Sequence, residues 1–221
     1  MCMILVKERV NYCTAHRKCA QLEKLDGRQT FLVGSNAHEI PETILDHNVI
    51  WTSFNKLLGT DVGEWSTWHD ADTRFGIVIR NWAPDYPLLG EYRLVKSSAE
   101  GFINVDQTDE DAMFVCEMRS LRSARLSPLG TMRWIKAPET SNERPFFSTT
   151  EHSGCHELFR NKTLSSCGYA CAQNSNCRSF YHEPSEGHCI LVLFVDTLLP
   201  KSMNNDENWS YYVQENFEQP K

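Results

Sequence analysis

The sequence predicts an α+β protein built from two small disulfide-stapled modules. Three observations point there. Nine cysteines stand among 221 residues, and five of them (Cys155, Cys167, Cys171, Cys177 and Cys189) share one short C-terminal segment. Such density marks disulfides and an oxidising compartment. Apolar residues recur at helical spacing in only a few short stretches. Between these, aromatic and β-branched runs alternate with Gly and Pro turn signals.

Hydrophobic residues make up 41% of the chain and aromatics 11%, enough to bury a core. No run of about 18 apolar residues exists, so no helical membrane span is expected. The net charge of −7 is uneven. Residues 1–118 hold 11 Lys and Arg against 18 Asp and Glu; residues 119–150 hold six against two; residues 151–221 hold five against nine. Neither candidate module is basic, which argues against nucleic-acid binding. The sequons Asn161-Lys162-Thr163 and Asn208-Trp209-Ser210 mark Asn161 and Asn208 as glycosylation sites of an exported protein.

In the first module, residues 4–6 read as a short strand. Tyr12, Ala15, Cys19 and Leu22 form one apolar helical face, with Asn11 as N-cap. A second helix is expected over residues 39–46, with Pro41 in its first turn. Short strands follow, at Val49-Ile50-Trp51, around Trp65 and Trp68, over residues 75–79 and at Phe114-Val115-Cys116.

These residues resemble the C-type lectin-like family over residues 1–118. The resemblance is carried by the Ala15 to Cys19 helix step, Val49-Ile50-Trp51-Thr52-Ser53, Trp65-x-x-Trp68-x-Asp70, Asn81-Trp82-Ala83-Pro84 and Phe114-Val115-Cys116-Glu117, in the family's order. It implies a fold of two helices with short antiparallel strands, and it pairs Cys19 with Cys116. That bond would close a loop of about 98 residues, worth about 4–5 kcal/mol in the chain-entropy model. Sugar-binding members hold Ca²⁺ with side-chain oxygens from a Glu-Pro-Asn or Gln-Pro-Asp loop and a Trp-Asn-Asp strand. Here those positions read Tyr86-Pro87-Leu88 and Ile103-Asn104-Val105, leaving only Asn104. Ca²⁺ wants six to eight oxygens, so no Ca²⁺-dependent sugar binding is expected from this module. The family's second disulfide is also missing, with Thr108 at one of its positions and Glu91-Tyr92 near the other. Cys2 matches a cysteine that pairs further upstream in members with an N-terminal hairpin; a free Cys2 is the other reading. On the first, the chain begins inside its first module, and the signal peptide it lacks stands upstream.

Residues 119–131, rich in Ser, Pro and Arg, read as a linker. The second module, residues 132–216, centres on a helix that places Leu164, Cys167 and Cys171 on one face, capped by Ser165 or Thr163. Cysteines four apart on a helix have Cβ atoms about 6 Å apart, too far for a disulfide, so each needs a partner off the helix. The sterically sensible pairs are Cys171–Cys177 and Cys167–Cys189, which staple the helix to the apolar strand 189–195. The Cys167-x-x-x-Cys171-x-x-x-x-x-Cys177-x-x-Phe180 spacing, Cys189-Ile190-Leu191 and Tyr211-Tyr212-Val213 resemble the PAN/apple family, which implies one helix on an antiparallel sheet and links the same four positions. Cys2, Cys13 and Cys155 are left to pair with each other, stay reduced or link a second chain. Zinc bound by the four cysteines with His182 and His188 is disfavoured, because short Cys-x-x-Cys knuckles are absent.

No nucleophile, acid–base pair or phosphate loop assembles, so a non-enzymatic protein without cofactor or metal is expected. The reading is an extracellular recognition or adhesion protein that binds a protein or glycan ligand, as a monomer or as a disulfide-linked or non-covalent oligomer. Two alternatives stand beside it: a lectin acting through the PAN/apple module or a Ca²⁺-independent surface, and an accessory part of a larger secreted enzyme.

Overall fold

A computed structural model describes residues 2–22, 29–58, 68–71, 76–90, 92–108, 111–119, 133–137, 147–148, 154–205 and 208–215. The 119–131 linker beyond Arg119, Trp65, Glu91 and the expected 139–143 loop lie outside them. The chain divides into two compact units, Met1–Ala124 and Arg125–Lys221. Both are α+β and mostly sheet, and eight of the nine cysteines are disulfide-bonded.

The first unit runs β1 (Cys2–Val10), α1 (Tyr12–Leu22), β2 (Gln29–Leu32), a 3₁₀ turn (Ala37–Glu39), α2 (Glu42–Leu45), β3 (Ile50–Asn55), β4 (Trp68–Asp70), β5 (Gly76–Ile77), β6 (Leu94–Ser98), β7 (Gly101–Val105) and β8 (Ala112–Arg119). Its described strands form one sheet along the path β1-β8-β3-β4-β5, with β2 added on β8 and β6-β7 on β3. β8 is central, antiparallel to β1 and β2 and parallel to β3.

Local chemistry explains most boundaries. Asn11 Oδ1 accepts the Thr14 N–H at 2.9 Å and starts α1, which buries Tyr12, Ala15, His16 and Cys19. β1 is longer than residues 4–6, because pairing with β8 extends it from Cys2 to Val10. The expected 39–46 helix is broken. Ile40 is extended (φ −63°, ψ 124°) because a residue before proline is pushed out of the helical region, so α2 begins only after Pro41.

Every residue of β3 is buried, and its polar side chains find partners. Thr52 Oγ1 donates to Val95 O at 2.7 Å, and Ser53 Oγ donates to Asp70 Oδ1 at 2.6 Å. Trp51 is fully buried, donates Nε1–H to Val10 O and meets Tyr12 edge-on. Asp70 also accepts the Ser35 N–H and hydroxyl. A Cβ at Gly34 would collide with the Ser53 and Asp70 side chains, so this close approach requires glycine.

The second unit runs β9 (Trp134–Lys136), β10 (His156–Phe159), α3 (Leu164–Gln173), β11 (Cys177–Glu183), β12 (His188–Leu193), a 3₁₀ turn (Lys201–Asn205) and β13 (Ser210–Gln214). The sheet order is β10-β12-β11-β13-β9, with every pair antiparallel. Thr163 accepts the Ser166 N–H through its side chain and caps α3. α3 lies against one sheet face, where Tyr212 stacks on Phe180, Trp134 meets Phe180 edge-on, and Trp134 fills the space over Gly168. The other face holds Tyr181, Ile190 and Val192, packed against Leu199 and Trp209. β12 stops at Leu193 rather than at Val195, because Phe194 takes φ 62° and turns the chain. The β11–β12 turn is tied by Glu183, whose carboxylate accepts the Ser185 and Glu186 N–H groups.

Two outcomes follow for stability. Removing the cap in Thr163→Ala costs the second unit about 1 kcal/mol in urea denaturation. In the first unit Glu117 is fully buried and accepts from Asn36 Nδ2 at 2.8 Å. Burial, only partly offset by that bond and reinforced by Asp70 and Glu39, pushes its carboxyl from 4.5 to about 7. The folded state therefore holds this proton more tightly than the unfolded chain. Its contribution to stability is fullest below pH 4.5 and is lost as pH rises through about 7. Glu117→Gln flattens that fall and stabilises the unit at pH 8 by the order of 2 kcal/mol, read from urea melts at pH 5 and pH 8.

Candidate recognition surface

The sequence-derived cysteines fall into three pairs. Cys19 on α1 is bonded to Cys116 on β8, Cys167 on α3 to Cys189 on β12, and Cys171 on α3 to Cys177 at the start of β11, with Cα–Cα distances of 5.4, 5.7 and 5.2 Å. The four cysteines weighed as zinc ligands are therefore consumed as disulfides. Cys13 and Cys155 are disulfide-bonded as well, and among the described residues Cys2 is the free thiol, exposed at the head of β1. Asn161 and Asn208 are both exposed. Asn161 occupies the left-handed region (φ 55°) between β10 and α3, while Asn208 precedes the buried Trp209.

Asn104 organises the loop that precedes β6. It sits on β7, only 2% exposed. Its Oδ1 accepts the Leu88 N–H at 2.7 Å, and its Nδ2 donates to Leu88 O at 2.8 Å and to Tyr92 O at 3.1 Å. One side chain thus clamps the backbone at both Leu88 and Tyr92. Gly90, at φ 107° in open space, allows the turn between them. The Tyr86–Pro87 peptide at the entry is cis.

The clamp has an apolar consequence. Leu88, Leu89 and Tyr92 stand 39%, 65% and 38% exposed on a loop whose backbone is held at Leu88 and Tyr92. Next to the loop, the Lys56 N–H donates to Arg93 O at 2.8 Å. Lys56 Nζ lies over the Trp68 ring at 4.6 Å. Burial, and then the Arg93 charge, hold its ammonium below the ordinary lysine range.

The same geometry bears on the oxygen donors considered above. Leu88 and Val105 carry no side-chain oxygen, and Asn104 Oδ1 already accepts a backbone N–H. The family resemblance marks Asn104 as the survivor of a ligand set; its place in the fold makes it a clamp. Trp51 and Trp68 are core residues, 0% and 7% exposed. The burial of Glu117 has one signal in the sequence, its parity with the inward residues Met113 and Val115 on β8.

Asn104→Ala removes all three bonds and costs the first unit about 2–3 kcal/mol. Asn104→Asp keeps the acceptor and loses both donors, so it falls between alanine and wild type. Both variants raise amide exchange over residues 86–92, measured by hydrogen exchange with mass spectrometry.

Compared with protein-family models and with curated protein sequences, the chain matches none.

Proposed function

We propose that this chain is a non-enzymatic extracellular recognition protein. On this reading the first unit is a C-type lectin-like domain that docks a protein ligand on the 86–92 loop without Ca²⁺. The second unit is a PAN/apple domain. The observation that carries the reading is the pair of exposed leucines, Leu88 and Leu89, on a backbone clamped by Asn104. Exposed apolar side chains in one patch mark interaction surfaces. A fixed loop loses little conformational entropy on binding, so more of the contact energy appears as affinity.

Three further facts support it. Eight bonded cysteines suit an oxidising compartment. Among the described residues no helix is long and apolar enough to cross a membrane. The loop offers leucine side chains where a Ca²⁺ site needs oxygens. A glycan reading attaches instead to the second unit, where Tyr169 on α3 is 67% exposed and presents a ring suited to stacking on a sugar.

The test is a binding screen of the full chain against displayed extracellular protein domains and against a glycan array, with and without EDTA. We expect EDTA-insensitive binding to a protein, weakened at least tenfold (about 1.4 kcal/mol) by Leu88→Asp or Leu89→Asp with the melting temperature unchanged. Glycan binding that survives both loop variants and is lost in Tyr169→Ala moves the function to the second unit. A micromolar Ca²⁺ site in calorimetry together with EDTA-sensitive sugar binding overturns the proposal.

A further inference from the structure

Residues 194–199 form a strap across the sheet face that α3 does not cover. Four of its six residues are buried, with Val195, Thr197 and Leu199 0% exposed and Leu198 6% exposed, while Phe194 and Asp196 are half-buried. Its backbone is tied at several points. Phe194 N–H donates to Asn176 O at 2.9 Å, Tyr181 OH donates to Thr197 O at 3.0 Å, and Ser148 N–H donates to Leu199 O at 2.7 Å. It also lies so close to residues 154–156 that a Cβ at Gly154 would fall 2.7 Å from the Thr197 side chain. Gly154 takes φ 101° there, a conformation that glycine allows.

His156 stands at this contact, first residue of β10. Its ring is hydrogen-bonded to the Leu198 carbonyl. Nε2 is buried and has no hydrogen-bond partner among the described residues, which leaves Nδ1 to face the Leu198 carbonyl. His156 as a whole is half-buried, but its Nε2 is sealed from water; a proton there would have no acceptor among the described residues, which is costly unless water enters. Among the described residues His156 forms no ion pair. Across the sheet the register places Val192, Ser179 and Val213 on the same row. The strap's own titratable group, Asp196, faces Arg178 at 3.7 Å. On the remaining strands of this face the titratable groups are Tyr181, Tyr211, Glu183 and His188, the last lying near Glu186. Glu157, next to His156 in β10, alternates to the other face and is exposed. Cys155 is disulfide-bonded.

We propose that His156 is an acid-sensitive latch: its protonation releases the 194–199 strap and uncovers the Tyr181, Ile190 and Val192 face of the second unit. This is a conformational device of the second unit and is independent of the 86–92 loop reading. Burial lowers the closed-state imidazole from 6.5 to about 4, against a smaller opposite effect of the Leu198 bond. The closed strap is therefore favoured above pH 6.5, and that preference is lost as pH falls toward 4. At pH 5 the opening equilibrium rises roughly 30-fold over its value at neutral pH.

Hydrogen exchange on the full chain tests this, with rates corrected for the intrinsic effect of pH. Between pH 7.5 and pH 5 the protection of the Phe194, Val195 and Ser148 amides should fall roughly 30-fold. The amides of α3 should hold theirs. His156→Asn keeps a donor for Leu198 O and carries no charge, so its strap protection should be independent of pH. Unchanged strap protection in the wild-type chain at pH 5 overturns the proposal, whether or not the variant folds. So does an equal loss over α3, which means unfolding of the whole unit, or the same acid loss in His156→Asn.

Discussion

Covalent ties between a helix and the middle of a sheet are the constraint on which both units rest. Neither unit is large, and a small core alone leaves little margin over the conformational entropy of the chain. Cys19–Cys116 fixes α1 to the central strand β8 across a sequence separation of 97. Cys167–Cys189 does the same for α3 and β12 across 22 residues. Because the entropy removed from the unfolded chain grows slowly with loop length, even the shorter tie is worth about 3 kcal/mol. With helix and sheet held together, the aromatic residues between them pack in a single arrangement: Tyr12 on Trp51 in one unit, Trp134 and Tyr212 on Phe180 in the other.

That security lets the first unit hold polar groups in its interior. Thr52, Ser53, Asn55, Asp70, Asn104 and Glu117 are all buried. Asp70 accepts from two hydroxyls and an N–H, and Asn104 accepts one N–H while donating to two carbonyls. Such networks cost more than apolar packing if any partner is lost, and in exchange they specify one loop conformation. The 86–92 loop shows what this achieves. Its leucines remain in water because the backbone beneath them is held by Asn104 and cannot fold them inward.

Much of the fold was legible in local chemistry. Asn11 and Thr163 announce their helices because a short side-chain oxygen beside an apolar period satisfies a terminal N–H. The two cysteine pairs of α3 follow from the reach of Cβ atoms on a helix. The expected second helix failed because its apolar spacing spans Ile40-Pro41, where a backbone rule outweighs the pattern. The strand expected to reach Val195 failed because nothing local forces Phe194 to positive φ; the strap that turns there is held by Tyr181, Ser148 and His156. The candidate surface was half legible. The family resemblance marked Leu88 and Val105 as places where cation ligands are lost and Asn104 as the one that remains, but it said nothing of Asn104 reaching Leu88 and Tyr92.

The sequence by itself determined the α+β class, the helix starts and the disulfide chemistry, because these depend on neighbours within a few residues or on residue type. Tertiary structure decided which polar groups are buried and which apolar ones are not. Glu117 and His156 have ordinary local surroundings, and their protonation behaviour arises from segments far along the chain: residues 36, 39 and 70 around one, residue 198 against the other. Desolvation is a property of a place in three dimensions, so no reading of adjacent residues supplies it.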